Sequence, residues 1–203
     1  MFESRASHMK RALDMIVAIP AAALLSPLFI AIAVWIRLDS RGPVFFRQER
    51  VGQFGRIFRM FKFRTMVVGA EKQGAMITIS ADRRITRSGR LLRKYKLDEL
   101  PQLLNVIQGQ MSLVGPRPEV LRYVECYTPD QRRILMLKPG ITSPASIAFR
   151  NESELLGQQE DPEEYYRVEL APAKIREDLN YARSATVFSD CLMIAKTFFR
   201  IFS

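Results

Sequence analysis

Met15 to Ile36 is an apolar run broken only by Ser26, and it constrains this chain more than any other stretch. As a straight helix it would measure about 33 Å, against about 30 Å for the hydrocarbon core of a bilayer. Such a run has to be buried in protein or placed in lipid. Lys10 and Arg11 precede it, and Arg37 and Arg41 follow it, so flanking positive charge gives no orientation. The run lacks a small-residue cleavage pattern and basic sequence follows it, which argues against a signal peptide. Ser26-Pro27 sits at its middle. Pro27 removes a backbone donor, which predicts a kink, and the Ser26 hydroxyl is placed to satisfy a freed carbonyl. A helix that enters, breaks at Ser26-Pro27 and returns to the same face reconciles the charges with the proline. Each half would be about 15 Å long, too short to cross. On the residues alone, this re-entrant reading, a kinked transmembrane span and a buried core helix all stay open.

The 203 residues suffice for one domain with a core, alone or with an appendage. Net charge is +10, and residues 41–117 hold all of the excess, with 16 Lys/Arg against 5 Asp/Glu. Residues 118–203 carry 11 against 13. A basic block of this kind implies an anionic partner: nucleic acid, a phosphorylated metabolite or an anionic lipid. No helix-turn-helix, zinc-finger or RNA-binding-sheet pattern is present, so nucleic acid is not expected. Cys126 and Cys191 form no CxxC pair, which fits a reducing compartment. The single histidine, His8, lies in Ser7-His8-Met9, and residues 1–8 read as a tag remnant or a disordered end. With His8 set aside, a catalytic His, a His metal site and a Ser-His-Asp triad are all excluded.

In the basic block, Pro43 to Gln48 reads as a strand and Gly52 and Gly55 bracket a turn. Arg56 to Arg64 alternates basic and apolar residues, the period-2 signal of a second strand. Together they predict a β-hairpin with one apolar and one cationic face. Residues 67–81 read as a flexible loop, and 82–94 as the approach to a short basic helix. The block leads to Lys96-Leu97-Asp98-Glu99-Leu100-Pro101-Gln102-Leu103-Leu104-Asn105. Leu100, Leu103, Leu104 and Ile107 lie on one helical face, Pro101 places the helix start within a residue or two of Asp98, and Gly109 marks a stop. The helix dipole would favour an ionised Asp98. Such an aspartate could cap the helix, hold a metal ion or act as a nucleophile. Beyond it, Gly115-Pro116-Arg117-Pro118 makes a stiff turn that fixes the direction of Arg117, a suitable phosphate clamp.

These stretches, in this order, resemble the bacterial sugar transferases that are monotopic phosphoglycosyl transferases. The resemblance runs through Lys10-Arg11 with Asp14, Ser26-Pro27, Phe46-Arg47-Gln48 to Arg50-Val51-Gly52, and Lys62-Phe63-Arg64-Thr65-Met66. It continues through Leu97 to Leu103, Ser112 to Pro118 and Pro139-Gly140-Ile141-Thr142, and is weaker after residue 150. It implies a mechanism. Asp98 attacks the β-phosphate of a UDP-sugar, UMP leaves, and polyprenyl (undecaprenyl) phosphate then collects the sugar-phosphate from the aspartate. It implies Mg²⁺, held by Asp98 with Glu99 as a further candidate ligand, and Glu99 as a partner to Asp98 in the catalytic pair. Lys62, Arg64, Arg90 and Arg117 are the candidate phosphate clamps, and Arg150 takes the place of a family Arg in a segment that departs from the family pattern. The implied location is the cytoplasmic face of the bacterial inner membrane. With no further membrane helices upstream, the chain resembles the family's minimal form; an oligomer stays open.

The resulting expectation is an α+β fold, mostly helical, with a small β-hairpin and a re-entrant membrane helix over residues 9–40 broken at Ser26-Pro27. Residues 41–203 form the catalytic domain. Glu119 to Met136 reads as a helix, Tyr165 and Tyr166 as core in a helical stretch broken at Pro172, and about 186–202 as an amphipathic helix in the membrane interface or docked on the core. Two other function classes compete: a non-catalytic membrane-anchored module that binds anionic lipid or nucleic acid through the basic middle, and a glycosyltransferase that releases UDP.

Overall fold

The computed structural model describes residues 5–70 and 82–202. Helix α1 (Arg5–Leu24) meets α2 (Ser26–Asp39) at Leu25 with a bend of 56°. The cause is local. Pro27 has no N–H to give the carbonyl of Ala23, and the Ser26 hydroxyl donates to it instead at 2.8 Å. No single helix among the described residues is long and apolar enough to cross a membrane; the bent pair passes that test together. Helix α1 already includes residues 5–8, which the sequence assigned to a tag remnant or disordered end, and residues 1–4 lie outside the described residues.

Three side chains fasten α1 to the rest of the chain. Arg11 donates to the carbonyls of Val106 and Ile107, Lys10 pairs with Asp190, and buried Asp14 accepts from Ser112 Oγ (3.0 Å) and the Leu113 N–H (2.9 Å). Ala18 joins Met60, Leu103, Val106, Met111, Val114 and Met193 in the main core. Ile16, Leu24, Leu28, Ile30 and Leu38 face outward, so the helix pair leaves a broad apolar surface uncovered.

Strands β1 (Phe45–Val51) and β2 (Ile57–Phe63) form the expected antiparallel hairpin, with Phe45 opposite Phe63 and Val51 opposite Ile57. Its faces differ from the expectation. Phe58 and Met60 turn inward on the same face as Lys62, while Arg59 points out, so the basic residues divide between the faces. The loop expected over 67–81 is described only to residue 70; its remainder lies outside the described residues.

Helix α3 (Arg87–Lys94) is capped by Thr86, whose side chain accepts from the Gly89 N–H. A 3-10 turn (Leu97–Glu99) leads through Pro101 into α4 (Gln102–Ile107), and Gly109 at φ 79° ends it as expected. Strand β3 (Ser112–Val114) pairs in parallel with β4 (Gly140–Thr142). The two chains touch so closely that a Cβ on Gly140 would lie 2.1 Å from the Gly115 nitrogen, which explains a glycine in both motifs.

The helix expected over 119–136 is split into α5 (Leu121–Glu125) and a 3-10 turn (Gln131–Met136), because Thr128-Pro129 cannot continue a helix. After α6 (Pro144–Ala148) and α7 (Glu152–Gly157), α8 (Pro162–Tyr165) runs through a π-turn (Tyr166–Leu170) into α9 (Ala171–Ser184). The expected break at Pro172 does not occur; the widened turn just before it accommodates the missing donor. Helix α10 (Val187–Phe202) docks on the core through Asp190 and Met193 and turns Phe188, Leu192, Phe198 and Phe199 outward.

Candidate active site around Asp98

Lys96 adopts a left-handed backbone (φ 56°) that turns the chain from α3 into the 3-10 turn carrying Asp98 and Glu99. Glu99 is the hub. Its Oε1 accepts from Lys62 Nζ at 3.0 Å, and both of its oxygens receive the Arg117 fork, Nη1 to Oε2 at 3.1 Å and Nη2 to Oε1. Hairpin, turn and the Pro116-Arg117-Pro118 bend thus converge on one carboxylate. Burial works against the Glu99 charge, but Arg117 and Lys62 outweigh it and hold its pKa well below the usual carboxylate range. The same contact pushes the Arg117 guanidinium further up, while burial draws the Lys62 ammonium down.

Asp98 has the opposite environment. It is buried, and its Oδ1 has no hydrogen-bond partner. Burial, then the Glu99 charge, raises its pKa; Lys62, Arg93 and Lys96 pull it back. The dipole argument for a stabilised anion is therefore outweighed at this position. An acceptor oxygen held in a dry setting beside two cations is suited to attack phosphorus or to take one coordination position of a hard cation.

Among the described residues no three His, Cys, Asp or Glu side chains gather. The donor set nonetheless fits Mg²⁺, which commonly takes one or two carboxylates and completes its shell with substrate phosphates and water. Asp98 has an oxygen to offer. Glu99, with Lys62 and Arg117 on its oxygens, is poorly placed to act as a second ligand.

The other predicted clamps make no bond to Asp98 or Glu99. Arg64 is buried and donates to the carbonyls of Ser40 (2.7 Å) and Arg41 (2.9 Å) and to Ser40 Oγ (2.9 Å). It ties off the end of α2 and bonds to neither Asp98 nor Glu99. Arg90 is exposed on α3 and Arg150 is exposed between α6 and α7; neither bonds to Asp98 or Glu99. Ser26 and Pro27 shape the helix break, far along the chain from this cluster.

A second, part-buried network adjoins the bend. Glu119 accepts from Arg50 Nη1 (3.1 Å), the Val120 N–H (2.8 Å) and the Tyr166 hydroxyl, and Arg50 also donates to the carbonyl of Pro118 (3.0 Å). Tyr166 begins the π-turn, a feature frequent at functional sites. Arg50 and Pro118 both stand in the quoted motifs, which was the available signal. Beside this network lies a cleft, open in part to solvent, bounded by Gly52, Arg117, Glu119, Tyr166 and Lys174. It shares Arg117 with the Glu99 cluster and does not include Asp98.

The model of the bacterial sugar transferase family matches residues 5–203. Among curated relatives, the UDP-N-acetylgalactosamine-undecaprenyl-phosphate N-acetylgalactosaminephosphotransferase of Aeromonas hydrophila is 37% identical over 194 residues, 94% of this chain and 43% of the relative. The UDP-glucose:undecaprenyl-phosphate glucose-1-phosphate transferase of Escherichia coli K12 is 37% identical over 96% of this chain and 40% of its own length. A transferase of the same description from Caulobacter vibrioides is 36% identical over 93% of this chain and 67% of its own length. The chain thus spans less than half the length of the first two.

Proposed function

The chain belongs to the bacterial sugar transferase family, and from that premise we propose that it transfers a sugar-1-phosphate from a UDP-sugar to polyprenyl (undecaprenyl) phosphate. The reading follows what its relatives are described as doing. The observation that carries the chemistry is the buried Asp98, with an unpartnered oxygen, beside the Lys62–Glu99–Arg117 cluster.

An Asp98 carboxylate oxygen attacks the β-phosphorus. The bond between that phosphorus and the bridging oxygen breaks, and UMP leaves with the electron pair. The phosphosugar stays on Asp98 as an acyl phosphate until a phosphate oxygen of the lipid displaces the aspartate. Attack by one anion on another requires nearby positive charge. Lys62 and Arg117 supply it, and Glu99 holds both in place. Mg²⁺ held by Asp98 and the diphosphate would supply further charge neutralisation. The lipid acceptor places the reaction at a membrane. The outward apolar surfaces of α1, α2 and α10 suit a re-entrant pair and an interfacial helix at the cytoplasmic face of the inner membrane.

The test uses purified protein in detergent with Mg²⁺ and a panel of UDP-sugars, without lipid acceptor. A stoichiometric burst of UMP with a matching gain in intact mass, lost in Asp98→Asn, is the expected result and names the sugar. Release of UDP, or folded protein silent across the panel, would overturn the reading.

A further inference from the structure

Buried polar side chains in this protein are almost all matched with partners, and the exceptions are informative. Four atoms among the described residues lack one: Arg64 Nε, Asp98 Oδ1, Gln102 Nε2 and Tyr123 Oη. Arg64 has its other nitrogens bonded to the end of α2, and Tyr123 lies in a separate core cluster. The remaining two are one helical turn apart. Residues 97–107 continue from the 3-10 turn into α4 with helical backbone at Leu100 and Pro101, and positions 98 and 102, four residues apart on that segment, both turn their side chains into the protein.

Asn105, on the same short helix, shows what a structural amide does here. Its Oδ1 accepts from the Phe61 N–H (2.9 Å), and its Nδ2 donates to the Arg59 carbonyl (2.9 Å) and to Gln110 Oε1 (2.7 Å). Every polar atom of Asn105 is engaged in holding α4 against β2. Gln102 is equally buried, at 1% exposed, yet its amide donor is unpartnered. A buried donor without a partner destabilises the fold, so it calls for an explanation. Asp98 Oδ1 is an acceptor and Gln102 Nε2 a donor, but they do not bond to each other. A group bonded to the Asp98 oxygen and carrying its own acceptors would satisfy both.

A phosphoryl group is such a group. We propose that Gln102 is a catalytic residue, its Nε2 donating a hydrogen bond to a phosphoryl oxygen of the phosphosugar as that group bonds to Asp98; this rests on the transfer reading above. In the step, the Asp98 oxygen–phosphorus bond forms, the bond to the departing UMP oxygen breaks, and negative charge grows on the phosphoryl oxygens. Gln102 stays neutral, gives up no proton, and stabilises that charge with a donor already in position.

The experiment measures the UMP burst rate and adduct mass in full-length wild type, Gln102→Met and Gln102→Leu, each with its melting temperature. Both variants remove the donor and keep an apolar side chain of similar size. The expected result is a burst roughly 100-fold slower, with KM for the UDP-sugar changed by less than about threefold. The melting temperature should be unchanged or higher, because an unsatisfied buried donor has been removed. A burst within about threefold of wild type overturns the proposal. So does a melting temperature lowered by more than about 5 °C in both variants, which would make the amide part of the scaffold. If wild type forms no adduct, the transfer reading falls and this proposal with it; if wild type forms it and the variants match, only the role of Gln102 falls.

Discussion

Glu99 and Glu119 stand on either side of one bend, Pro116-Arg117-Pro118; Glu99 gathers two part-buried cations and Glu119 one, and they serve different ends. Glu119 sits in a closed network: Arg50, a backbone N–H and the Tyr166 hydroxyl all reach it, and Arg50 also ties to the Pro118 carbonyl. Glu99 holds Lys62 and Arg117 just as firmly, but its neighbour Asp98 is buried with an oxygen left over. A closed network rigidifies the fold. An open one stores an unsatisfied group where chemistry needs it, at a cost in stability.

Substitutions should separate the two. The largest effect is expected from Asp98→Asn: UMP release and adduct fall to background, while the melting temperature holds or rises, because a buried carboxylate has been made neutral. A clear drop in melting temperature would instead move Asp98 into the scaffold. Glu99→Gln comes next. It leaves the part-buried Lys62 and Arg117 beside a neutral group, so denaturant unfolding should show a loss of about 3 kcal/mol, together with loss of activity. Glu119→Gln should cost about 1–3 kcal/mol and slow the burst far less, since Arg50 and Tyr166 keep an oxygen to bond. Equal activity losses in the two glutamine variants would erase the distinction.

The smallest effect lies outside both clusters. Buried Asp178 accepts from the Ala145 N–H at 3.0 Å, and burial pushes its pKa up to about 6; the hydrogen bonds from Ala145 and Ser143 and the charge of Lys174 pull it back, and Glu177 adds to the rise. A folded-state value above the unfolded one means the charged form is disfavoured by folding. Its destabilisation is absent below about pH 4 and complete above about pH 6. Asp178→Asn keeps an acceptor and removes the charge. It should raise stability by about 1–2 kcal/mol at pH 7.5 and by much less at pH 4.5, read as two melting curves.

Local rules took the sequence reading a long way. The hairpin, the turn before α4, the stop at Gly109 and the break at Ser26-Pro27 all follow from a few adjacent residues. What it missed depends on reach. Arg64 was grouped with Lys62 because both are basic and two positions apart, yet one side chain bonds to the end of α2 and the other to Glu99. Period 2 alone places Arg59 and Lys62 on opposite faces, so the strand cannot carry one wholly cationic face. The Glu119 network joins β1, the bend and the π-turn, three segments that become neighbours only once folded. Thr128-Pro129 is itself a local signal, and it divides the helix expected over 119–136.

The fastening of α1 has a geometric consequence. Arg11 grips the last carbonyls of the same helical segment that begins at Asp98. From Asp98 to Ile107 that segment is a strut of about 14 Å. Asp14 braces the adjoining strand. The bent helix pair and the Asp98 carboxylate are therefore two ends of one ruler. Any displacement of the pair is carried along that strut to Asp98. Loosening Arg11 or Asp14 would uncouple the position of Asp98 from that of the helix pair.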